Sequence, residues 1–191
     1  MRAPSSAAIF AAALLLSLTA HADPALVQLA HARGITLGLT AVQPLPPWND
    51  AGFGVAPWAG FATPVSRSLL ATARVGYVAH RHKVVTVGSD PTESITYSSW
   101  ELPVLAGIES LPAGEHGLFV FGELGYVLQH TRAEYPHEPA ATATDHGAGI
   151  GIGGGYRIGG FQARVQYFML GLPDPVKQKA IVFGVQWLLP I

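Results

Sequence analysis

Apolar and polar residues alternate with a period of two over most of the chain from Gly34 onward, in segments of barrel-strand length. The clearest segment is 161–169, where aliphatic and aromatic residues alternate with Gln162, Arg164 and Gln166. In the last segment one face carries five apolar residues: Ile181, Phe183, Val185, Trp187 and Leu189. Because successive side chains of a strand point to opposite faces, each segment should present one apolar face and one face of polar or small residues.

The same alternation recurs at 69–80, 100–109, 118–128 and 147–158, with less regular segments at 34–42 and 52–62. The total is about eight strands, an even number as in single-chain bacterial barrels. Short connections (63–68, 111–117 and 159–160) alternate with long ones (43–51, 81–96, 131–145 and 173–178). Outer-membrane barrels sort tight periplasmic turns and longer extracellular loops in this way. The pattern predicts an all-β, antiparallel up-and-down transmembrane β-barrel over residues 34–191.

Aromatic residues in or beside these segments are expected to form the girdles that mark the two membrane interfaces. They are Trp48, Trp58, Tyr97, Trp100, Tyr126, Tyr156, Tyr167 and Trp187.

The first 22 residues have the layout of a secretory signal peptide. Arg2 precedes an apolar stretch at 7–16, and the small-x-small site Ala20-His21-Ala22 follows. The apolar stretch is roughly half the ~20 residues that a membrane-spanning helix needs. We therefore expect residues 1–22 to be cleaved on export to the outer membrane, and residues 23–33 to form a short segment before the barrel.

Composition supports a barrel in lipid. Of the 191 residues only 12% are charged, against about 25% in a typical soluble domain, and the mean hydropathy is +0.32. The chain has no cysteine, so disulfides do not stabilise it. In lipid, a chain without apolar spanning helices satisfies its backbone only as a closed barrel. The formal net charge of −1 gives no support to nucleic-acid binding.

Six ionisable residues fall on the predicted inward face: Arg74, Glu101, Glu109, Glu123, Arg157 and Arg164. The interior of an eight-stranded barrel is just wide enough for side chains to fill it, and buried charges must pair. We expect a lumenal salt-bridge network that plugs the barrel. A narrow ion pathway is the alternative, but apolar residues share the inward register: Val78, Leu105, Val127 and Phe168.

Other candidate chemistry is weaker. His80 and His82 share a strand face at a spacing able to hold a metal ion, although ordinary loop histidines explain them more simply. The G-x-G-x-x-G match within 149–154 lies in a strand-like segment, where glycines make room for long side chains. The chain lacks the His-x-Ser pair of lipid-deacylating barrels. We expect no enzymatic activity, no cofactor and no resident metal.

Four runs carry a family resemblance: the run at 100–107 (WELPVLAG), the glycine-rich runs at 121–126 and 149–157, and the run at 162–167 (QARVQY). Together they resemble the small outer-membrane β-barrel domains that include PorT-like and OmpA-like eight-stranded barrels. The resemblance implies an integral outer-membrane barrel; the family has no shared enzymatic activity, and some members serve secretion or surface functions.

The C-terminal segment is similar to the assembly signal of such barrels, with Gly184, Trp187 and Leu189, although Pro190-Ile191 replace the usual terminal aromatic residue. The resemblance thus implies outer-membrane lipid and the barrel-assembly machinery as partners, and the long loops are where an extracellular partner would bind.

Three functions follow from these observations. The first is a non-enzymatic integral barrel with a structural or loop-presenting role, and the second is a narrow channel or small-solute transporter. The third is a soluble, lipocalin-like periplasmic barrel that binds an apolar ligand. The third requires the two strand faces to be swapped, which alternation alone does not exclude.

Overall fold

The computed structural model describes residues 33–46, 52–81, 83–86, 94–110, 116–172 and 178–191. The predicted signal peptide and most of the segment at 23–33 lie outside this part of the chain. In the described residues we find no helix long and apolar enough to cross a membrane. Their regular structure consists of ten strands: β1 (Gly34–Pro44), β2 (Gly54–Ser66), β3 (Leu69–Gly76), β4 (Val78–His80), β5 (Lys83–Thr86), β6 (Ser94–Ser110), β7 (His116–Glu134), β8 (Ala141–Ile158), β9 (Phe161–Leu172) and β10 (Gln178–Pro190).

The strands form one closed antiparallel sheet. Each strand from β6 to β10 pairs with the next, and β1 pairs with both β10 and β2. Strands β3, β4 and β5 follow one another along β6 and share one position in the ring. The ring therefore has eight positions, and the predicted all-β barrel of about eight strands is confirmed.

Side-chain exposure alternates along the strands as the period of two requires. In β1, Leu37 is 48% exposed on the outside, whereas Thr36 and Thr40 are buried inside. In β9, Val165 is 45% exposed and the flanking Arg164 and Gln166 are buried. Apolar side chains thus face outward and charged side chains face inward. This arrangement contradicts the swapped faces of a soluble lipocalin-like binder.

Two tight turns confirm two of the three short connections that the sequence predicts, and most of the third (111–117) lies outside the described residues. Arg67 and Ser68 join β2 to β3, and Gly159 and Gly160 join β8 to β9. Gly159 has a φ of 56°, in the left-handed region that a residue with a Cβ rarely adopts.

Two of the predicted long loops are shorter than expected. The segment 131–145 was predicted as a loop, but β7 continues to Glu134 and β8 begins at Ala141, and the two strands stay paired up to Ala133↔Ala141. In the same way, β6 begins at Ser94 and pairs with β5. The ladder continues because backbone hydrogen bonds do not require apolar side chains. The extension beyond the last β8–β9 pair, Ala148↔Leu172, is called the protruding sheet: residues 83–86, 94–99, 129–134 and 141–147.

Candidate functional site

A cluster of three arginines and two glutamates fills one part of the barrel interior. Arg74 comes from β3, Glu109 from β6, Glu123 from β7, Arg157 from β8 and Arg164 from β9, and all five are buried. They meet because each lies on the inward register of its strand. The structure thus brings together five of the six inward charges that the sequence singles out.

Glu123 is the first centre of this cluster. Its carboxylate accepts hydrogen bonds from Arg74 and, at 3.3 Å, from Arg164 Nη2. Gln166 Nε2 donates to Glu123 Oε2 at 2.8 Å, and Arg74 Nη2 donates to Gln166 Oε1 at 2.9 Å. The carboxylate is therefore bonded to three donors from two other strands.

Glu109 is the second centre. It accepts hydrogen bonds from Arg157, from Gln162 Nε2 at 2.7 Å and from Arg164 Nη1 at 3.3 Å. Arg164 contacts both carboxylates and also donates to Gln186 Oε1 at 3.0 Å. It therefore links the two centres into one network. The sequence placed the three glutamines on the polar face, but nothing in it indicated that they complete the network.

Glycines on the inward face leave room for these long side chains. A Cβ at Gly107 would lie 2.7 Å from the Glu123 Cγ, and one at Gly151 would lie 1.9 Å from the Gln166 Nε2. The glycine run of β8 therefore serves packing, as the sequence predicted, and Gly149, Gly151 and Gly154 lie inside a strand rather than before a helix.

Trp58 is also part of the interior, and its predicted place in an outer girdle was wrong. Its ring lies 4.1 Å below the Arg74 guanidinium, and its indole Nε1 donates to Thr40 Oγ1 at 2.7 Å. Arg164 lies in the same way 3.9 Å from the ring of Phe121. Trp58 shares the even-numbered register of Ala56, and this parity is the signal that could have placed it inside.

An apolar layer crosses the interior next to the network. Along β3 and β4 the inward residues include Leu70, Arg74 and Val78, so the Arg74 charge has an apolar residue on each side of it along the wall. The larger apolar cluster comprises Val42, Ala56, Trp58, Val78, Leu105, Ala180 and Val182, with Phe168 packed against it. The smaller one, at the opposite end of the network, comprises Ala62, Leu70 and Leu188. Both clusters place apolar side chains on the inward register, next to the charged network.

Glu101 does not belong to the network, although the sequence grouped it there. Eight residues of β6 separate it from Glu109, which is about 27 Å along a strand. Its Oε1 instead lies 3.1 Å from His80 Nε2 and 3.4 Å from Gln129 Nε2. His80 Nδ1 also lies 3.1 Å from the Gly52 carbonyl oxygen. The Glu101 contact is an ion-pair distance rather than a hydrogen bond, since His80 Nε2 has no hydrogen-bond partner among the described residues.

The metal hypothesis for His80 and His82 gains no support from the position of His80, which is buried at the end of β4 and engaged with Glu101. His82 lies outside the described residues. Within the described part of the chain, no three histidine, aspartate or glutamate side chains come together as a metal site would require.

The three residues of the predicted assembly signal lie on β10. Trp187 and Leu189 are exposed on the barrel exterior, and Gly184 faces inward, where a Cβ would lie 2.4 Å from the Thr40 Cγ2. Their role in assembly remains a prediction.

The closed ring of eight positions, the apolar exterior and the interior filled with side chains are typical of the class of small eight-stranded β-barrels. The comparison with solved structures agrees on the fold. Ail, the attachment invasion locus protein of Yersinia pestis, matches with a TM-score of 0.57 at 12% identity, over 82% of this chain and 97% of that chain. The N-terminal β-barrel domain of Pseudomonas aeruginosa OprF matches with a TM-score of 0.51 at 11% identity, over the same shares. At these identities the likeness concerns the fold alone. Neither the protein-family models nor the curated proteins gave a match.

Proposed function

We propose that this chain is an integral outer-membrane β-barrel protein that has no enzymatic activity, keeps its lumen plugged, and presents the protruding sheet at the cell surface. The observation that carries the proposal is the distribution of polarity: a cluster of buried charges inside the barrel, and exposed apolar side chains on the outside at every position of the ring.

The exposed apolar side chains form a band around the barrel. Outward residues from Ile181 to Leu189 span about 27 Å along β10, or about 21 Å along the barrel axis at the usual strand tilt of about 40°. This height is close to the apolar band of about 25 Å in known outer-membrane barrels. Each of the eight ring positions contributes exposed members: Ile35, Leu37, Leu39, Val55, Val75, Val104, Ile108, Leu124, Ile152, Val165, Phe183 and Val185. In water such a surface would drive aggregation, whereas lipid solvates it.

The protruding sheet supports a role at the cell surface. Residues 141–146 of β8 are all exposed, and among the described residues 141–147 pair with β7 alone. The outer part of β8 therefore offers a sheet edge to which a partner protein could add an extended strand.

Several features support the absence of catalysis and the route of assembly. Each carboxylate of the network is buried and bonded to arginines, so neither is open to a substrate. Export would depend on the signal peptide at 1–22. Gly184, Trp187 and Leu189 would be read by the barrel-assembly machinery. A structural anchor of the PorT-like or OmpA-like kind, with partners bound outside the membrane, fits these features.

Membrane fractionation combined with a heat-shift gel tests this proposal. The full chain, expressed in a Gram-negative host, should pellet with outer membranes and migrate faster on a denaturing gel when it is not boiled, because the closed sheet resists detergent. Release as a soluble periplasmic protein without a heat-dependent shift would overturn the proposal.

A further inference from the structure

A cleft of about 360 Å³ opens where the barrel wall meets the protruding sheet. We call it the rim cleft. Its lining residues come from β4, β6, β7 and the Tyr77 linker: Tyr77, Ala79, His80, Ser98, Ser99, Trp100, His130 and Arg132. Leu102 and Val104 continue the outward face of β6 on one side of the cleft, and the polar protruding sheet lies on the other. The cleft therefore lies at the boundary between the apolar band and the aqueous side.

An irregular stretch of the wall creates this cleft. Along β6, the ladder passes from Ala79↔Trp100 to Lys83↔Tyr97. The four steps along the chain from Ala79 to Lys83 therefore lie opposite only three steps of β6, from Trp100 to Tyr97. One side of the ladder thus has an extra residue, as in a β-bulge. Bulges disrupt the local ladder and re-aim side chains. As a result, Ser99 from the inward register and Trp100 from the outward register line the same cleft.

The aromatic wall of the cleft suits the level of lipid headgroups. The ring of Trp100 stacks on Tyr77 at 6.0 Å and on His130 at 5.4 Å between centroids. His130 Nδ1 lies 3.0 Å from Thr144 Oγ1, which fixes the outer end of the stack. Amphipathic rings of this kind concentrate where acyl chains give way to polar headgroups.

The polar wall of the cleft consists mainly of hydrogen-bond donors. Ser99 Oγ is buried and has no hydrogen-bond partner among the described residues, which is costly unless water or a ligand bonds to it. The Arg132 guanidinium contacts Glu134 Oε1 at 3.0 Å, with about half of its side chain exposed. One carboxylate contact leaves most of its five N–H donors for a second acceptor, and guanidinium binds phosphate in two-pronged geometry. Ser98 adds a hydroxyl.

From this geometry we infer that the rim cleft binds the phosphate-bearing headgroup of an outer-leaflet lipid, with Arg132 and Ser99 bonded to the phosphate and Trp100 against the base of the acyl chains. The inference rests on the proposed outer-membrane location. A free phosphate would share the polar contacts but would gain nothing from the aromatic wall or from the adjoining apolar band.

Native mass spectrometry of the full chain folded in neutral detergent tests the inference. The probes are a diphosphorylated glucosamine lipid (lipid A), the same lipid without its phosphates, and inorganic phosphate. We expect one phosphorylated lipid per chain, with affinity lowered about tenfold by R132Q and about fivefold by S99A. R67Q removes an exposed arginine from the β2–β3 turn at the opposite end of the barrel and should leave affinity unchanged.

S99A separates a ligand role from a structural one. Because the hydroxyl has no partner among the described residues, its removal should leave the heat stability of the barrel equal or higher while lipid affinity falls. Equal binding of the lipid with and without phosphates, or equal losses in R132Q and R67Q, would overturn the inference. Binding of inorganic phosphate as tight as that of the lipid would overturn the lipid assignment. Loss of the heat-shifted form in the unaltered chain would instead refute the proposed function.

Discussion

At the residue scale, the interior is organised by the sharing of two carboxylates among three arginines. Glu123 and Glu109 each bind two guanidinium groups, and Arg164 binds both of them. Removal of one partner from such a network leaves uncompensated charge in a region that water does not reach. A buried ion pair contributes little net stability, but the removal of one partner is costly. The loss of one member should therefore lower the free energy of unfolding by more than the whole network contributes to it.

The variant E123Q tests this sensitivity. It leaves Arg74 and Arg164 without their shared carboxylate, so the free energy of unfolding should fall by about 3–5 kcal/mol. Urea unfolding in lipid vesicles measures the change. The matched control is E134Q, which removes the exposed partner of Arg132 and should cost about 0–1 kcal/mol. Equal effects of the two variants would mean that the interior charges are hydrated and not buried.

Alternation in the sequence predicts which residues point inward but not which of them meet. Arg74, Glu109, Glu123, Arg157 and Arg164 meet because the tilt and stagger of the strands bring them to one level, a quantity that no local pattern encodes. Glu101 could have been separated from Glu109 in advance, because the two lie eight positions apart on one predicted strand. Trp58, which lies well inside β2, was misplaced because an aromatic residue in a strand was given an interfacial role before its parity was considered.

At the element scale, β8 presents a row of glycines on its inward face, and side chains of the neighbouring strands pack over it. Phe119 and Phe121 from β7 occupy the space that these glycines leave: a Cβ at Gly155 would lie 2.7 Å from the Phe119 ring and 2.1 Å from the Ala163 carbonyl oxygen. Gly122, by contrast, faces outward with no atom within 4 Å of such a Cβ. The two positions therefore form a matched pair for substitution.

We predict opposite outcomes for G155A and G122A. The inner alanine should lower the free energy of unfolding by about 1–3 kcal/mol because the packed ring and the neighbouring strand must shift. The outer alanine should be neutral or stabilise by up to about 1 kcal/mol, since it restricts the unfolded chain without a clash. Thermal or urea unfolding of both variants in the same lipid provides the comparison. Equal destabilisation would show that the inward and outward assignments of β7 and β8 are wrong.

The positions of the strands followed from their period of two, but the ends of three strands did not. The outer parts of β6, β7 and β8 carry threonine, histidine and charged residues, which suggested a loop between Thr131 and Asp145. The sequence of a polar hairpin does not show whether its two strands stay paired. Backbone hydrogen bonds hold such a hairpin together, and they leave no pattern of apolar residues in the sequence. The ladder from Leu128↔His146 to Ala133↔Ala141 is visible only in the structure.

At the scale of the whole molecule, the fold class could be derived from the sequence because every strand repeats the same requirement: apolar toward lipid, polar or small toward the lumen. The layered plug, with charges between two apolar clusters, depends on contacts among all eight positions of the ring and could not be derived in this way. The mature barrel should therefore tolerate polar changes on the protruding sheet far better than on its apolar band.

The variants V165R and V185R apply this expectation to two neighbouring strands. Each places a charge on the exterior near mid-strand and should cost about 2–4 kcal/mol of stability in lipid. T142R, on the protruding sheet, is the control and should change stability by less than about 0.5 kcal/mol. Reversible unfolding in lipid vesicles gives all three values. If all three variants unfolded like the unaltered chain, residues 165 and 185 would not face lipid.

Site-directed spin labelling tests the central claim, that the apolar exterior of this barrel faces lipid, most directly. The chain has no native cysteine, so single cysteines at Val104, Val165 and Val185 can each carry one label, with Thr142 as the aqueous reference. In lipid vesicles the account predicts that the first three labels collide readily with oxygen and are shielded from a water-soluble nickel complex, whereas the label at 142 shows the reverse. Nickel accessibility at 104, 165 and 185 equal to that at 142 would contradict the account.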